Sequence, residues 1–596
     1  MANRKRATAG GIVNSAHPVG REYVGKSVWI LTFESSDVVH VGGLGQAVAT
    51  LAHALADLDI RPTILMPSHG QQYEEKIRKK LKLEEISEFK ASGARRGVDG
   101  NEYPYSVGFE RGKLGGVTYL LAKGLDPASS RWLEDHQVYD HDLTFEKMAL
   151  FSRAVAHFLN YSIENELELP DLIHMNDWHT VPAGAILKQV AAAHHKDLPL
   201  AFTIHLLSFK RLPWHYISEA WCGLEDMPYN VMINGSLTYM SPKKLWEEWC
   251  EGSFEKFGAL WSDWLATVSR SYLTEDVIGY VGSWVKERCG FIYNGCDWKE
   301  DEILKEVSKT HRLPGRKITR KRLRNYLLTE ALEKAGPPSN ADQSIAQLLM
   351  NFRNTDLFGD SGQVRNFDSD GELVLMTGRL NEQKGVDLLV KAIPDVLKVL
   401  PEVRFILILL PGQQSGFLSW VLEESSKLAS GVRIVPGTLP SIYKLAYLGA
   451  DVFAMPSRWE PFGIAALEAM STGTPVVGSK VGGLKETVLD LREEPEQGTG
   501  LLVRPGDSKD LAAALAGMIL MVRMADESNN HIPSQVAEFV TDPTMLDLIL
   551  DRKCAFSKIR ENCKKRVDTY FRPANSARMA LNTYAGAQRV SGMRFK

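Results

Sequence analysis

The chain is poor in cysteine. Its 596 residues include six, Cys222, Cys250, Cys289, Cys296, Cys554 and Cys563. They form no CxxC pair and no dense framework, which argues against a disulfide-stapled scaffold and favours a reducing compartment. An excess of charge of one sign is lacking as well: 70 Lys and Arg stand against 73 Asp and Glu, so nothing points to a nucleic-acid partner. No apolar run reaches the roughly 18 residues that a membrane-crossing helix requires. The start, Met1 to Gly20, is basic but carries no apolar core of signal-peptide length. Repeats of solenoid period and low-complexity tracts are missing too. These absences leave the expectation of a large cytoplasmic enzyme without a nucleic-acid or membrane partner.

What is present is an alternation of apolar runs and helical periodicities, in two similar halves. In the first, Val28 to Phe33 predicts a strand and Gly42-Gly43-Leu44-Gly45 a glycine-rich turn. Leu44, Val48, Leu51, Ala52 and Leu55 predict a helix before a strand at Pro62 to Met66. A hairpin across Lys113 to Gly116, a helix from about Phe145 to Asn160, and strands at Leu172 to Met175 and Leu200 to His205 follow. The second half repeats the pattern, with strands at Leu373 to Thr377, Val403 to Leu410, Arg433 to Val435 and Asp451 to Met455, and a helix at Val386 to Leu400. Such alternation implies an α/β protein, two parallel sheets with helices on both faces. The expected layout is a flexible start over 1–22, an N-terminal α/β domain over 23–300, a linker or insertion over 301–370, a C-terminal α/β domain over 371–545, and a helical segment over 546–596 that could cross back to the first domain. Within the insertion, the basic run Arg316, Lys317, Arg320, Lys321, Arg322 and Arg324 reads as a solvated helix face more readily than as a sugar-phosphate effector site.

The chemistry concentrates where strands end. After Asp451 to Met455 comes Arg458-Trp459-Glu460-Pro461-Phe462-Gly463-Ile464, then a helical run through Met470 to Gly473. Pro461 suits the first position of that helix. Glu460 would then sit in the crevice at the strand's carboxyl end, beside free backbone N–H groups, with Glu468 about two turns further on. Gly378-Arg379 and Gln383-Lys384-Gly385 hold the equivalent place after another strand. A guanidinium and an ammonium there could neutralise a diphosphate. Gly42 to Gly45 opens a helix, and so is either a phosphate-binding turn or a plain tight one. His205 ends an apolar strand, where it either satisfies a buried carbonyl or faces a site. Asp177 and His179 end another strand and open a helix, which leaves capping and ligand binding both open for Asp177.

Together, Gly42-Gly43-Leu44, Asn176-Asp177-Trp178-His179-Thr180, Thr203-Ile204-His205, Tyr293-Asn294-Gly295, Gly378-Arg379 with Gln383-Lys384-Gly385, and Glu460-Pro461-Phe462-Gly463 with Glu468 resemble the glycogen and starch synthases. These are retaining glycosyltransferases of the GT-B class, and the ordered set runs over residues 28 to 505. The resemblance implies two Rossmann-like, doubly wound domains facing across a cleft, with the sugar nucleotide held mainly by the second and the glucan by the first. It implies transfer of glucose from ADP-glucose or UDP-glucose to the non-reducing end of an α-1,4-glucan with retention, without a metal or other cofactor. Arg379 and Lys384 map to the residues that hold the diphosphate. Glu460 and the N–H groups of Phe462, Gly463 and Ile464 map to contacts on the donor glucose, and Glu468 to the ribose contact. His205 maps to the histidine beside the donor sugar and phosphate, His40, Gly42 and Gly43 to the donor-side glycine loop, and Asp177 and His179 to the acceptor side.

Two departures stand out. His40 occupies the place where the family usually carries a lysine near the donor phosphate. Residues 206–264 hold six of the chain's 13 tryptophans, for which packing and glucan stacking are both open. The competing readings are another retaining GT-B transferase, making sucrose phosphate, trehalose or a glycoconjugate, and a glucan-binding scaffold without turnover; a homo-oligomer is left open. Substitution of Glu460 or Lys384 is expected to cost rate and to spare folding.

Overall fold

A computed structural model describes residues 21–139, 143–313, 318–339, 343–412, 414–524, 539–550 and 556–595. Of the start expected to be flexible, residues 1–20 lie outside these, as do Arg316, Lys317 and Cys554. The chain divides into two compact units: residues 1–295 with 573–596, and residues 296–572.

The first unit is built on a ten-stranded sheet. Seven strands are parallel, in the spatial order Cys289–Phe291, Trp264–Thr267, Leu200–Ile204, Leu172–Asn176, Ser27–Leu31, Arg61–Pro67, Val117–Gly124. The hairpin read from Lys113 to Gly116 joins Glu102–Leu114 antiparallel to Val117–Gly124. Every residue of Ser27–Leu31, Leu172–Asn176 and Leu200–Ile204 is buried, as central parallel strands covered on both faces must be. The chain runs outward from Ser27–Leu31 on one side and returns at Leu172–Asn176 on the other. That reversal opens a crevice at the carboxyl ends of these strands. Trp264–Thr267 and Cys289–Phe291, only four and three residues long, gave too short an apolar signal to be read from sequence.

The last helix, Pro573–Phe595, belongs to this unit. Tyr584 bonds His174 Nδ1 through its hydroxyl (3.0 Å). Arg594 Nη1 donates to Asp263 Oδ1 (2.7 Å), and Lys188 Nζ donates to Asp263 Oδ2. Arg594 and Asp263 are fully buried. Two cations thus share one carboxylate in the interior, with Arg288 beside them donating to the carbonyls of Ala259 and Ser262.

The second unit has six parallel strands in the order Val432–Pro436, Arg404–Leu410, Leu373–Arg379, Val452–Met455, Val476–Ser479, Gly500–Val503. Numbered along the chain this is 3-2-1-4-5-6, the order of dinucleotide-binding sheets, and its reversal lies between Leu373–Arg379 and Val452–Met455. Residues 296–370 fall within this unit. Arg324 bridges Asp370 (2.9 Å) and Asp451 (2.6 Å), and Arg320 donates to the carbonyls of Ala450 and Thr472 and to Thr474 Oγ1. The solvated-face reading of the basic run therefore fits Lys321 and Arg322, which are exposed, while Arg320 and Arg324 are internal ties. The sequence spacing could not show this, because a helix seven residues long, Arg320–Tyr326, turns consecutive arginines to opposite sides.

Removing the buried carboxylate at Asp263 leaves two interior cations without a partner, which typically costs about 3–5 kcal/mol. Asp263→Ala should lower the unfolding midpoint of the first unit markedly, whereas Arg594→Met, which leaves the Lys188 pair intact, should cost less. Thermal unfolding followed by calorimetry, with each transition resolved, checks the ranking.

Candidate active site

Two loops leave the carboxyl ends of the central strands in the second unit, where its sheet reverses. The first carries Arg379, whose guanidinium is exposed and makes no hydrogen bond or ion pair with the described residues. Asn381 then accepts from the Lys384 N–H (3.2 Å) and shapes the turn Glu382–Lys384. Gly385 follows at φ 64°, and a Cβ there would lie 2.1 Å from the Pro456 carbonyl oxygen, so glycine alone lets this loop lie against the second one.

The second loop is fastened to the first by several hydrogen bonds. Arg458 donates to both oxygens of Asp387 (2.8 Å each), the planar two-point pairing that fixes geometry best. Although burial acts the other way, Arg458 and Lys391 hold the Asp387 carboxyl below its ordinary range. The Arg458 N–H donates to the Gln383 carbonyl (2.8 Å). Lys384 Nζ donates to Glu460 Oε2 at 2.6 Å, and Ser457 Oγ to the same oxygen at 3.2 Å. Glu460 is 7 % exposed, so the sequence expectation that Lys384 or Glu460 could be removed without cost to folding needs correction: each is the other's partner in a nearly dry place.

The helix after this loop begins at Ile464, not at Pro461. Gly463, at φ 98°, takes the left-handed conformation and a Cβ there would meet Leu484 Cδ2 at 2.8 Å, which stops the helix short of the proline. The N–H groups of Gly463 and Ile464 have no acceptor among the described residues and are available to a ligand oxygen. Glu468 lies one turn into the helix rather than two. Its Oε2 accepts from the hydroxyls of Tyr443 and Tyr447 (3.1 Å each). Tyr447 in turn bonds Thr377 Oγ1 (2.6 Å) on the first strand. Burial pushes the Glu468 carboxyl up to about 7, against the two tyrosine donors.

In the first unit the expected residues gather at the ends of Ser27–Leu31, Leu172–Asn176 and Leu200–Ile204. Asn176 donates its amide N–H to the carbonyls of Leu31 (3.2 Å) and His174 (3.3 Å). Its Oδ1 therefore faces His205 Nε2 (2.9 Å) and can only accept, so Nε2 carries the proton and Nδ1 is the bare lone pair. Burial holds His205 down to about 3, and the imidazole is neutral. Asp177, at φ 59°, turns its Oδ1 back to accept from the N–H groups of His205 (2.6 Å) and Leu206 (3.2 Å). It orients the histidine's backbone and makes no cap on its own helix. Burial pushes its carboxyl up to about 8 in spite of those two donors. His179 is buried, both ring nitrogens lack partners among the described residues, and its ring lies 4.5 Å from Phe33 and 5.5 Å from Tyr139.

The glycine loop differs from its reading. Glu34 Oε2 accepts from the N–H groups of Val41 and Gly42 (2.9 Å each), and Tyr139 donates to Glu34 Oε1 (2.8 Å). The Gly42 N–H is thus committed to a carboxylate of the chain itself. Gly43 and His40 are exposed beside it. Sequence reasoning missed Glu34; the available signal was an acid closing the apolar run Val28 to Phe33. Of the six tryptophans in 206–264, Trp221, Trp246, Trp261 and Trp264 are buried in packing.

Cations and helix-start N–H groups at the reversal of a 3-2-1-4-5-6 sheet suit an anionic ligand, and sequence comparison gives the class: the chain is a glycosyltransferase. The starch synthase catalytic domain family matches residues 27–283 and the glycosyl transferases group 1 family residues 360–530. A glycogen synthase of Desulfitobacterium hafniense is 27 % identical over 495 residues, 82 % of this chain and 90 % of that protein. Glycogen synthase 2 of Geobacter sulfurreducens is 27 % identical over 480 residues, 79 % of this chain and 87 % of that one. The catalytic domain of starch synthase IV from Arabidopsis thaliana, solved with ADP and acarbose, shares the fold, with a TM-score of 0.62 at 20 % identity over 91 % of this chain and 100 % of that domain. The chain is thus similar to the glycogen and starch synthases along most of its length, and its fold is GT-B.

The raised Glu468 carboxyl has a defined consequence for stability. Between about pH 4.5, the ordinary value, and about 7, the folded state binds the proton that the unfolded state has lost, so its contribution is full below 4.5 and is lost as pH rises through 7. Glu468→Gln should remove that decline, on the order of 1–3 kcal/mol. Unfolding midpoints of the second unit from pH 4 to 8, wild type against variant, check it.

Proposed function

We propose that the protein transfers glucose from ADP-glucose or UDP-glucose to the non-reducing end of an α-1,4-glucan, with retention at the anomeric carbon. The observation that carries this reading is the unpaired Arg379 guanidinium on the same loop as Lys384, whose ammonium bonds Glu460. A nucleoside diphosphate leaves readily only when its growing negative charge is met, and preorganised donors of this kind are typically worth about 10²–10³ in rate each. Arg379 and Lys384 meet that charge. Glu460 and the N–H groups of Gly463 and Ile464 hold the donor glucose hydroxyls, and Glu468 holds the ribose. His205 lends its neutral imidazole to the donor sugar, and His179 and Asp177 serve the acceptor side.

Glu460 is tied to Lys384, and Glu468 stands behind two tyrosines, which does not suit the two-carboxylate route of retaining glycosidases. A front-face displacement fits better: the leaving phosphate oxygen takes the proton of the attacking acceptor hydroxyl as the new glycosidic bond forms. Because two side-chain cations meet the leaving charge, the reaction needs no metal ion, and activity should be unchanged by EDTA. We place the reaction in the cytoplasm, in keeping with five described cysteines that are all free.

The test is nucleotide release from ADP-glucose and UDP-glucose with and without glycogen, following labelled glucose into polymer. Acceptor-dependent release with label in the glucan is expected, and one donor should dominate; release without label in polymer would overturn the reading. Arg379→Ala should lower kcat by about 10²–10³ with an unchanged unfolding midpoint, since Arg379 has no side-chain partner to strand among the described residues. Lys384→Ala should lower both.

A further inference from the structure

Beyond His205 the chain runs through Leu206 to Lys210, and the lysine's ammonium comes to rest over two aromatic faces, 4.6 Å from the ring centre of Trp178 and 5.3 Å from that of Phe145. Phe145 in turn packs on Tyr216 at 5.3 Å. Lys210 Nζ has no hydrogen-bond acceptor and no carboxylate within ion-pair reach among the described residues. The loop that carries it is pinned rather than loose: Glu255 Oε1 accepts from the Ser208 N–H (2.7 Å) and hydroxyl, and the Tyr272 hydroxyl accepts from the Leu207 N–H (2.8 Å). Next to Trp178 stands His179, 2 % exposed, with both ring nitrogens unpartnered and the two rings 5.5 Å apart. A half-buried ammonium with three unused donors and a neutral imidazole with one donor and one acceptor thus share a wall with aromatic rings. All of it lies where the first unit's sheet reverses.

We infer that Lys210 is an acceptor-positioning residue, donating to hydroxyls of a neutral glucan whose sugar also engages His179. The inference rests on the proposed glucan transfer. The neutral class follows from the surroundings. The buried Glu255 carboxylate favours the ammonium without reaching ion-pair distance among the described residues, and what the ammonium lacks is oxygen lone pairs at hydrogen-bond distance. Sugar hydroxyls supply those, and the aromatic faces suit the apolar side of a pyranose ring. Burial draws the Lys210 ammonium below the ordinary lysine range, with Glu255 opposing; it remains a strong donor.

The test uses the full chain and maltotetraose. Lys210→Met should raise the KM for maltotetraose about 10-fold or more, the usual scale for a hydrogen bond from a charged donor. The KM for the sugar nucleotide and the unfolding midpoint should stay unchanged, and Lys210→Arg should recover most of the loss. An unchanged maltotetraose KM in Lys210→Met would overturn the inference. So would a loss shared by the donor KM, or a lowered midpoint that Lys210→Arg does not restore, since those are marks of a structural lysine. If the wild type itself neither elongates nor binds maltotetraose by calorimetry while still releasing nucleotide, the glucan reading fails first and this assignment goes with it.

Discussion

The clamp between two loops in the second unit decides what its site can do. Arg458 on Asp387 and Lys384 on Glu460 join the segment after strand Leu373–Arg379 to the segment after Val452–Met455. These are the loops that a 3-2-1-4-5-6 sheet leaves adjacent at its reversal. Neither loop carries enough apolar surface to fix itself. Their conformation comes from paired charges in a half-dry place, where such pairs are strongly oriented, and from glycines at the points where backbone meets backbone. Arg379 is left out of the clamp, and its freedom is what makes it available to a ligand.

The first unit answers the same problem with neutral groups. His205, His174 and His179 are held uncharged by burial. Asn176 and Asp177 fix their neighbours through backbone carbonyls and N–H groups, and the C-terminal helix adds Tyr584 to the network. The Asn176 carbonyl oxygen fixes one tautomer and one orientation for the His205 ring. Among the described residues around Trp178, Lys210 is an ammonium without a hydrogen-bond acceptor or ion-pair partner. The glycine loop, by contrast, is already occupied in part by Glu34, so its field toward an anion is weaker than its sequence alone suggests.

Much of this was legible before the fold was known. The strands that carry site residues are long apolar runs ended by glycine or a polar residue, and each was placed to within two or three residues. Arg379, Lys384, Glu460 and Glu468 all come to the sheet reversal. What sequence could not show depends on contacts far apart along the chain. Arg324 turns inward to Asp451, and Gly463 rather than Pro461 sets a helix start because Leu484 lies against it. Short strands such as Trp264–Thr267 carry too few residues for any periodicity, and only their neighbours in the sheet define them.

The most direct measurement of the central claim is a double-mutant cycle on Arg458 and Asp387, read by the calorimetric affinity for ADP and for UDP. If the clamp positions Lys384 and Arg379, Arg458→Met and Asp387→Asn should each weaken binding of the favoured nucleotide, by about 10-fold if the coupling is near 1.4 kcal/mol. The double variant should then be no weaker than either single one. Full nucleotide affinity in both single variants would contradict the account.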